Sequence, residues 1–151
     1  MATHYNELNL GYSLTLMTSL GNKEKPISVD LRFKSNSQWD FARFFLHAVT
    51  TGFFKPGDLL VLDNAHIHFG EDTAPMISKL TRAYQIRILH LPTYSCELNP
   101  CELVFSYIKG LIRRNRDYTR PFWLEIIQAL AEVNILHLYT WYEKCLTLLR
   151  S

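Results

Sequence analysis

Two acidic residues of this 151-residue chain stand where a folded core would bring them to one edge of a sheet. Asp63 comes directly after the apolar run 59–62, and Glu102 comes three residues after Asn99, at the start of a predicted helix. Ligand sites in open α/β sheets lie at the carboxyl ends of strands, where side chains leave the core. Because carboxylate oxygens are the preferred ligands of hard divalent cations, the pattern predicts a site for metal and phosphate.

Each carboxylate also has a purely structural interpretation. Asp63-Asn64 is a sequence typical of a turn after a strand. Asn99 is a good N-cap, Pro100 suits the first helical position, and Glu102 completes a capping-box pattern. A capping carboxylate can still face a neighbouring strand end, so neither interpretation excludes the other.

Two histidines follow Asp63 closely. His66 and His68 alternate, so they would share one face of a strand, as metal ligands must. No third soft ligand stands at a recognisable spacing, which favours hydrogen bonding around Asp63 over a structural zinc site. A histidine-based metal hydrolase remains an alternative, and elemental analysis of the purified protein would test it.

Basic residues follow Glu102 at helical spacing. Lys109, Arg113 and Arg116 form a stripe, with Arg114 beside them and Arg120 one step further. Such a stripe is often only a solvated helix face. Beside a phosphate-processing site, it would bind the DNA backbone without reading sequence.

The elements that must position these residues follow from periodicity. Residues 12–20 and 27–33 alternate and predict an antiparallel hairpin, and residues 37–52 predict a capped helix. The run 58–62, a helix over 76–84 and a strand over 86–91 form a parallel crossover unit, with the first strand buried on both faces. Helices follow from Pro100 and from Phe122, so the order is β-β-α-β-α-β-α-α and the fold class is α/β with a mixed sheet.

The bulk composition excludes several classes of protein. The chain is 48% hydrophobic and 20% charged, which argues against disorder. Its net charge of +2 is too small to indicate a nucleic-acid partner. Its three cysteines do not form the pattern of a disulfide framework, and no apolar run is long enough to span a membrane. We therefore expect one soluble intracellular domain over residues 1–151, which is not secreted.

Two long motifs resemble a known family. The segment 60–68 reads Leu-Val-Leu-Asp-Asn-Ala-His-Ile-His, and the segment 91–102 reads Leu-Pro-Thr-Tyr-Ser-Cys-Glu-Leu-Asn-Pro-Cys-Glu. They resemble the DDE superfamily endonuclease domain of Tc1/mariner- and IS630-type transposases. In that resemblance Asp63 matches the second catalytic aspartate and Glu102 the final acidic residue. The surrounding framework positions are matched by Asn64, His68, Asn99 and Pro100.

The chain departs from the family pattern at three places. Cys96 replaces a proline and Phe105 a tryptophan, both of which are packing changes. The resemblance also implies a ribonuclease-H-like sheet whose first strand, with the first catalytic aspartate, is apparently lacking, so the domain is expected to be N-terminally truncated. Asp30 falls on a later strand and is a poor substitute.

The resemblance implies metal-dependent DNA strand cleavage and transfer in DNA transposition, with two Mg²⁺ or Mn²⁺ ions held by carboxylates. It implies transposon ends as the DNA partner, a homodimer, and a nuclear location in a eukaryote or a cytoplasmic one otherwise. With two of three carboxylates, we expect impaired chemistry. The alternative is a non-catalytic nucleic-acid-binding or protein-interaction remnant of a domesticated transposase.

Overall fold

A five-stranded mixed sheet carries helices on both faces in the computed structural model, which describes residues 2–8, 12–33, 37–62, 70–92 and 96–150. None of the helices in those ranges is long and apolar enough to cross a membrane. The elements are β1 (Ala2–Leu8), β2 (Tyr12–Thr18), β3 (Ile27–Arg32), α1 (Gln38–Thr50), β4 (Leu59–Leu62), α2 (Ala74–Ala83), β5 (Arg87–His90), α3 (Pro100–Arg114), α4 (Phe122–Ala131) and α5 (Ile135–Arg150).

The strands lie in the order β3-β2-β1-β4-β5. The first three strands are antiparallel neighbours, whereas β1, β4 and β5 run parallel. Both the predicted hairpin and the predicted β4–α2–β5 crossover are confirmed. The parallel register pairs Thr3 with Leu62, so β1 continues past the carboxyl end of β4.

The expectation that the first strand is lacking is wrong. Ala2–Leu8 forms β1 and fills the centre of the sheet, between β2 and β4. The sequence of β1 does not show the alternation typical of a strand, because its apolar positions 2, 5 and 8 are three residues apart and not two. Backbone hydrogen bonds to β2 and β4 hold β1 in the sheet. Because these bonds join distant parts of the chain, they produce no pattern in the sequence of β1 itself. Among the described strands, β3 and β5 therefore lie at the edges of the sheet.

The start of α1 agrees with the predicted cap. Ser37 Oγ accepts a hydrogen bond from Asp40 N, and the Asp40 carboxylate accepts one from Ser37 N. Burial opposes ionisation of Asp40, but hydrogen bonds from Ser37 and the charges of Arg32 and Arg43 lower the pKa of its carboxyl. The helix ends at Thr50, and Gly52 follows with φ +82°.

Each face of the sheet has its own core, because neighbouring residues of β2 point to opposite faces. Leu14 and Leu16 pack with buried residues of α3, α4 and α5, whereas Met17 packs with the α1 side of the molecule. The α1-side core also contains Leu60 and Leu62 of β4, with phenylalanines on and just after α1.

Two further sequence predictions need correction. The prediction that β4 is buried on both faces is wrong, because Leu60 and Leu62 are buried while Leu59 is 37% exposed. The helices of the other face pack mainly over β1 and β2. The helical segment after Phe122 is divided into α4 and α5 by a break at Glu132–Asn134.

Candidate metal and nucleic-acid site

The first turn of α3 carries Glu102 and is fixed by the residue before the helix. Asn99 is fully buried, and its Oδ1 accepts a hydrogen bond from Cys101 N at 3.0 Å. Glu102 N donates to Asn99 O at 3.0 Å. The predicted N-cap is therefore confirmed, and it sets the position of the Glu102 backbone.

A buried polar network ties this turn to β2 and α5. Cys101 Sγ donates to Leu16 O at 3.7 Å and lies 3.9 Å from Thr18 Oγ1. Tyr142 Oη donates to Thr18 O at 3.0 Å and lies 2.7 Å from Thr18 Oγ1. Burial, followed by the nearby Cys101 thiol, raises the pKa of Tyr142, so its hydroxyl stays protonated. The network therefore attaches the start of α3 to the sheet.

The Glu102 side chain is half-buried and lines a cavity of about 260 Å³ between α3 and α5. Glu97, Ser106 and Lys144 also line it. Four of the predicted site residues, Asp63, Asn64, His66 and His68, lie outside the described residues. Among the residues that the structure does describe, no three His, Cys, Asp or Glu side chains group closely enough to hold a metal ion.

Asp30 forms an ion pair with its strand neighbour Arg32, whose Nε donates to Asp30 Oδ2 at 2.8 Å. It lies on β3, an edge strand of the sheet. Its carboxylate therefore has a local structural partner, in agreement with the sequence interpretation that it is not a catalytic substitute.

Three of the predicted basic residues lie on α3. Lys109 and Arg113 come seven and eleven residues after Glu102. At 3.6 residues per turn, Glu102, Lys109 and Arg113 therefore lie on one helical face. Arg113 and Arg114 are exposed and Lys109 is half-buried. This part of the predicted basic stripe therefore runs away from the Glu102 end of the helix.

The prediction that Arg116 continues this stripe is wrong. The helix ends at Arg114, and the Arg116 guanidinium forms an ion pair with the buried carboxylate of Glu125. It also stacks over the rings of Tyr118 and Phe122. Arg120, which the sequence placed one step further along the stripe, forms an ion pair with Asp117 and donates a hydrogen bond to Gln128. Helical spacing in the sequence assigned Arg116 to the stripe, but spacing alone does not show that the helix ends before Arg116.

Comparisons with known proteins agree with this architecture. The family model described as DDE superfamily endonuclease matches residues 9–144. No curated protein gives a match.

Solved structures give the fold. The catalytic core domain of BIV integrase is 14% identical, with a TM-score of 0.57 over 88% of this chain and 81% of that one. A chain of the simian T-cell lymphotropic virus intasome, solved in complex with the PP2A regulatory subunit B56 gamma, is 12% identical with a TM-score of 0.56. The match covers 85% of this chain and 45% of that one, so this chain spans less than half its length. The expected ribonuclease-H-like fold is confirmed.

Proposed function

The chain belongs to the DDE superfamily of endonucleases, and we propose that it is a Tc1/mariner-type transposase domain with impaired chemistry. Both motifs fall inside the matched range 9–144, and this single observation carries the proposal. Enzymes of this superfamily act on DNA and generally use divalent metal ions. The proposed partner is therefore transposon DNA and the proposed metal is Mg²⁺ or Mn²⁺.

The donor set suits such a metal. Asp63 and Glu102 supply carboxylate oxygens, which hard cations prefer, and Asn99 fixes the backbone of the turn that carries Glu102. Asp63 and Glu102 would hold the metal ions, which would supply activation of the attacking oxygen and stabilisation of the leaving oxygen. We assign Asn64, His66 and His68 to orienting Asp63, and Lys109, Arg113 and Arg114 to contacting phosphates.

The proposed impairment follows from the residues of β1. In the parallel register of β1 and β4, Thr3 pairs with Leu62, which is the residue before Asp63. His4 is the next residue of β1. His4 pairs with Leu16, so position 4 belongs to the sheet face that α3 covers. The acidic residue of β1, Glu7, is four residues beyond Thr3, or roughly 13 Å along the strand. Position 4 is a histidine, and Glu7 lies too far along the strand to take its place. β1 therefore supplies no carboxylate at this position that could join Asp63 and Glu102 in holding metal.

Restoring that carboxylate tests the proposal. We expect no plasmid nicking by the unmodified chain in Mn²⁺, and Mn²⁺-dependent nicking by His4→Asp. Adding Asp63→Asn or Glu102→Gln to His4→Asp should abolish it, whereas Glu132→Gln, an exposed carboxylate after α4, should not.

Two outcomes would contradict different parts of the proposal. Efficient nicking by the unmodified chain, lost in Asp63→Asn, would refute the impairment and keep the site. Calorimetric Mn²⁺ binding that is unchanged by both Asp63→Asn and Glu102→Gln would refute the site itself.

A second candidate function is a nucleic-acid-binding remnant of a domesticated transposase. Two observations favour it: Arg113 and Arg114 are exposed, and β1 contains no aspartate. On this interpretation DNA binding persists in EDTA, and His4→Asp gains no nicking.

We also propose a homodimer and, in a eukaryotic host, a nuclear location. Exposed apolar residues at helical spacing on α5, Leu136, Tyr139 and Leu146, support a self-association surface. Light scattering of the purified chain tests the dimer, and a monomer at all concentrations would refute it. The nuclear location follows only from DNA as the partner, and fluorescence microscopy of the tagged chain tests it.

A further inference from the structure

The loop between α3 and α4 presents an aromatic ring to solvent. Tyr118 is 86% exposed, the highest value among the large apolar and aromatic residues of the described part of the chain. An exposed ring alone carries no function, because scattered apolar residues are normal on protein surfaces. The contacts that hold this ring distinguish it.

Arg116 supports the Tyr118 ring from one side. Its guanidinium lies 4.4 Å from the Tyr118 ring centroid and 5.1 Å from that of Phe122. Glu125, whose side chain is only 5% exposed, anchors the guanidinium through their ion pair. Glu125 also accepts a hydrogen bond from Asp117 N at 2.6 Å, so one buried carboxylate fixes both the arginine and the loop backbone.

Asp117 fixes the other side of the loop. Its carboxylate accepts from Thr119 N at 2.9 Å, from Thr119 Oγ1 at 2.5 Å and from Arg120 Nε at 3.2 Å. The Thr119 hydrogen bonds lower the pKa of Asp117, so the carboxylate stays ionised at neutral pH. Hydrogen bonds and ion pairs thus hold residues 116–120 in place without a ligand, which reduces the entropy lost on binding.

The chemistry of this surface matches an unpaired nucleotide. Arg116 stacks on one face of the Tyr118 ring, and the exposure of the residue leaves the other open. Proteins bind single strands by stacking bases on aromatic rings beside cations that contact phosphates. Such cations directly precede the loop in the chain, since Arg113 and Arg114 are exposed in the last turn of α3.

We propose that Tyr118 is a stacking platform for an unpaired base of a DNA strand. The inference rests on the proposed function in taking DNA as the ligand. Bases within a duplex are already stacked on their neighbours, so the ligand is a single strand or an unpaired end. The exposed arginines Arg113 and Arg114 contact its phosphates.

The position of the loop makes Tyr118 a binding residue and not a catalytic one. Glu102 lies in the first turn of α3 and the loop follows its last, so the helix separates them by roughly 20 Å. At the duplex rise of about 3.4 Å per base pair, that distance corresponds to roughly six base pairs where the intervening DNA is paired. Tyr118 therefore binds DNA that flanks the reacting phosphate.

The experiment compares two probes in EDTA by fluorescence anisotropy. One is a labelled thymidine oligonucleotide of about 16 nucleotides, the upper end of the site sizes for such surfaces. The other is an abasic strand of the same length, which keeps the phosphates and lacks the bases. Tyr118→Ala should weaken binding of the first between about 5- and 150-fold and leave the second unchanged.

Two variants serve as controls. Tyr118→Phe keeps a stacking ring and should bind as the unmodified chain does. Tyr84→Ala removes an exposed tyrosine that follows α2 and should change neither affinity. Equal loss on both probes in Tyr118→Ala, or no loss on either, would overturn the stacking role.

The outcome is separable from the proposed function. Stacking-dependent binding by a chain whose His4→Asp variant never nicks DNA supports the platform and counts against the metal chemistry. Nicking by His4→Asp with Tyr118→Ala binding normally supports the chemistry and overturns the platform. A chain that binds neither probe at low salt overturns the platform, whereas the proposed function is decided by the nicking assay alone.

Discussion

Arg116 shows how a residue's role depends on its partner and not on its spacing. Counted from Lys109 and Arg113 it belongs to a basic stripe, but its guanidinium pairs with Glu125 on α4. The pair is largely withdrawn from water, with side-chain exposures of 18% and 5%. A charge that is neutralised in this way contributes to the loop that carries Tyr118 and not to a DNA track.

Glu125→Ala should therefore destabilise the fold. It leaves the Arg116 charge partly buried without its partner and removes the acceptor for Asp117 N. We expect the free energy of unfolding to fall by about 3 kcal/mol, the lower end for breaking a buried ion pair. Urea denaturation measures this loss. Glu132→Ala removes an exposed carboxylate after α4 and should change stability by less than about 0.5 kcal/mol, so equal losses in the two variants would contradict the prediction.

At the scale of elements, local patterns predicted the strands and helices that have strong start and stop signals. Ser37 and Asp40 mark the start of α1, Asn99 and Pro100 mark the start of α3, and Gly52 follows the end of α1. The hairpin also followed from alternation. These signals act over three or four residues, so a single sequence contains them.

The elements that were missed depend on contacts between distant residues. β1 is held by strands that follow it in the chain, and its own sequence does not alternate. The Arg116–Glu125 pair joins a loop to a later helix, and the Tyr142–Thr18 contact spans 124 positions. The motifs identified Glu102 and Asp63 as candidates, but the anchoring of α3 to β2 required the folded chain.

The N-caps of α3 and α5 permit a matched test of what the Asn99 cap does. Asn99 caps the helix that carries Glu102, and Asn134 Oδ1 accepts from His137 N in the first turn of α5. Each Asn→Ala variant should lower the free energy of unfolding by about 1 kcal/mol, with Asn99→Ala costing more because Asn99 is buried.

The two caps should differ in their effect on metal affinity. If Glu102 binds metal, Asn99→Ala should weaken Mn²⁺ binding by about tenfold, as the loss of an orienting partner does. Asn134→Ala should not weaken it, and calorimetry would compare the two. Equal Mn²⁺ affinity in both variants would mean that the cap stabilises α3 without positioning a ligand.

For the whole molecule, the net charge of +2 is too small to attract DNA over a distance. Any affinity for the phosphate backbone must then come from a local cluster of cations. Lys109, Arg113 and Arg114 form such a cluster on α3, on the sheet face opposite α1. A cluster of three cations predicts a weak dependence of DNA affinity on salt, unlike that of a strongly basic protein.

The slope of that dependence counts the phosphates in contact. Each neutralised phosphate on duplex DNA contributes about −0.9 to the slope of log affinity against log salt concentration, so three contacts predict roughly −2.7. Arg113→Ala should make the slope less steep by about 0.9. Arg43→Ala is the matched control, because Arg43 has a 69% exposed side chain but lies on α1, on the other face of the sheet. If both variants change the slope equally, DNA binds through diffuse charge, and the α3 cluster does not form the DNA-binding surface.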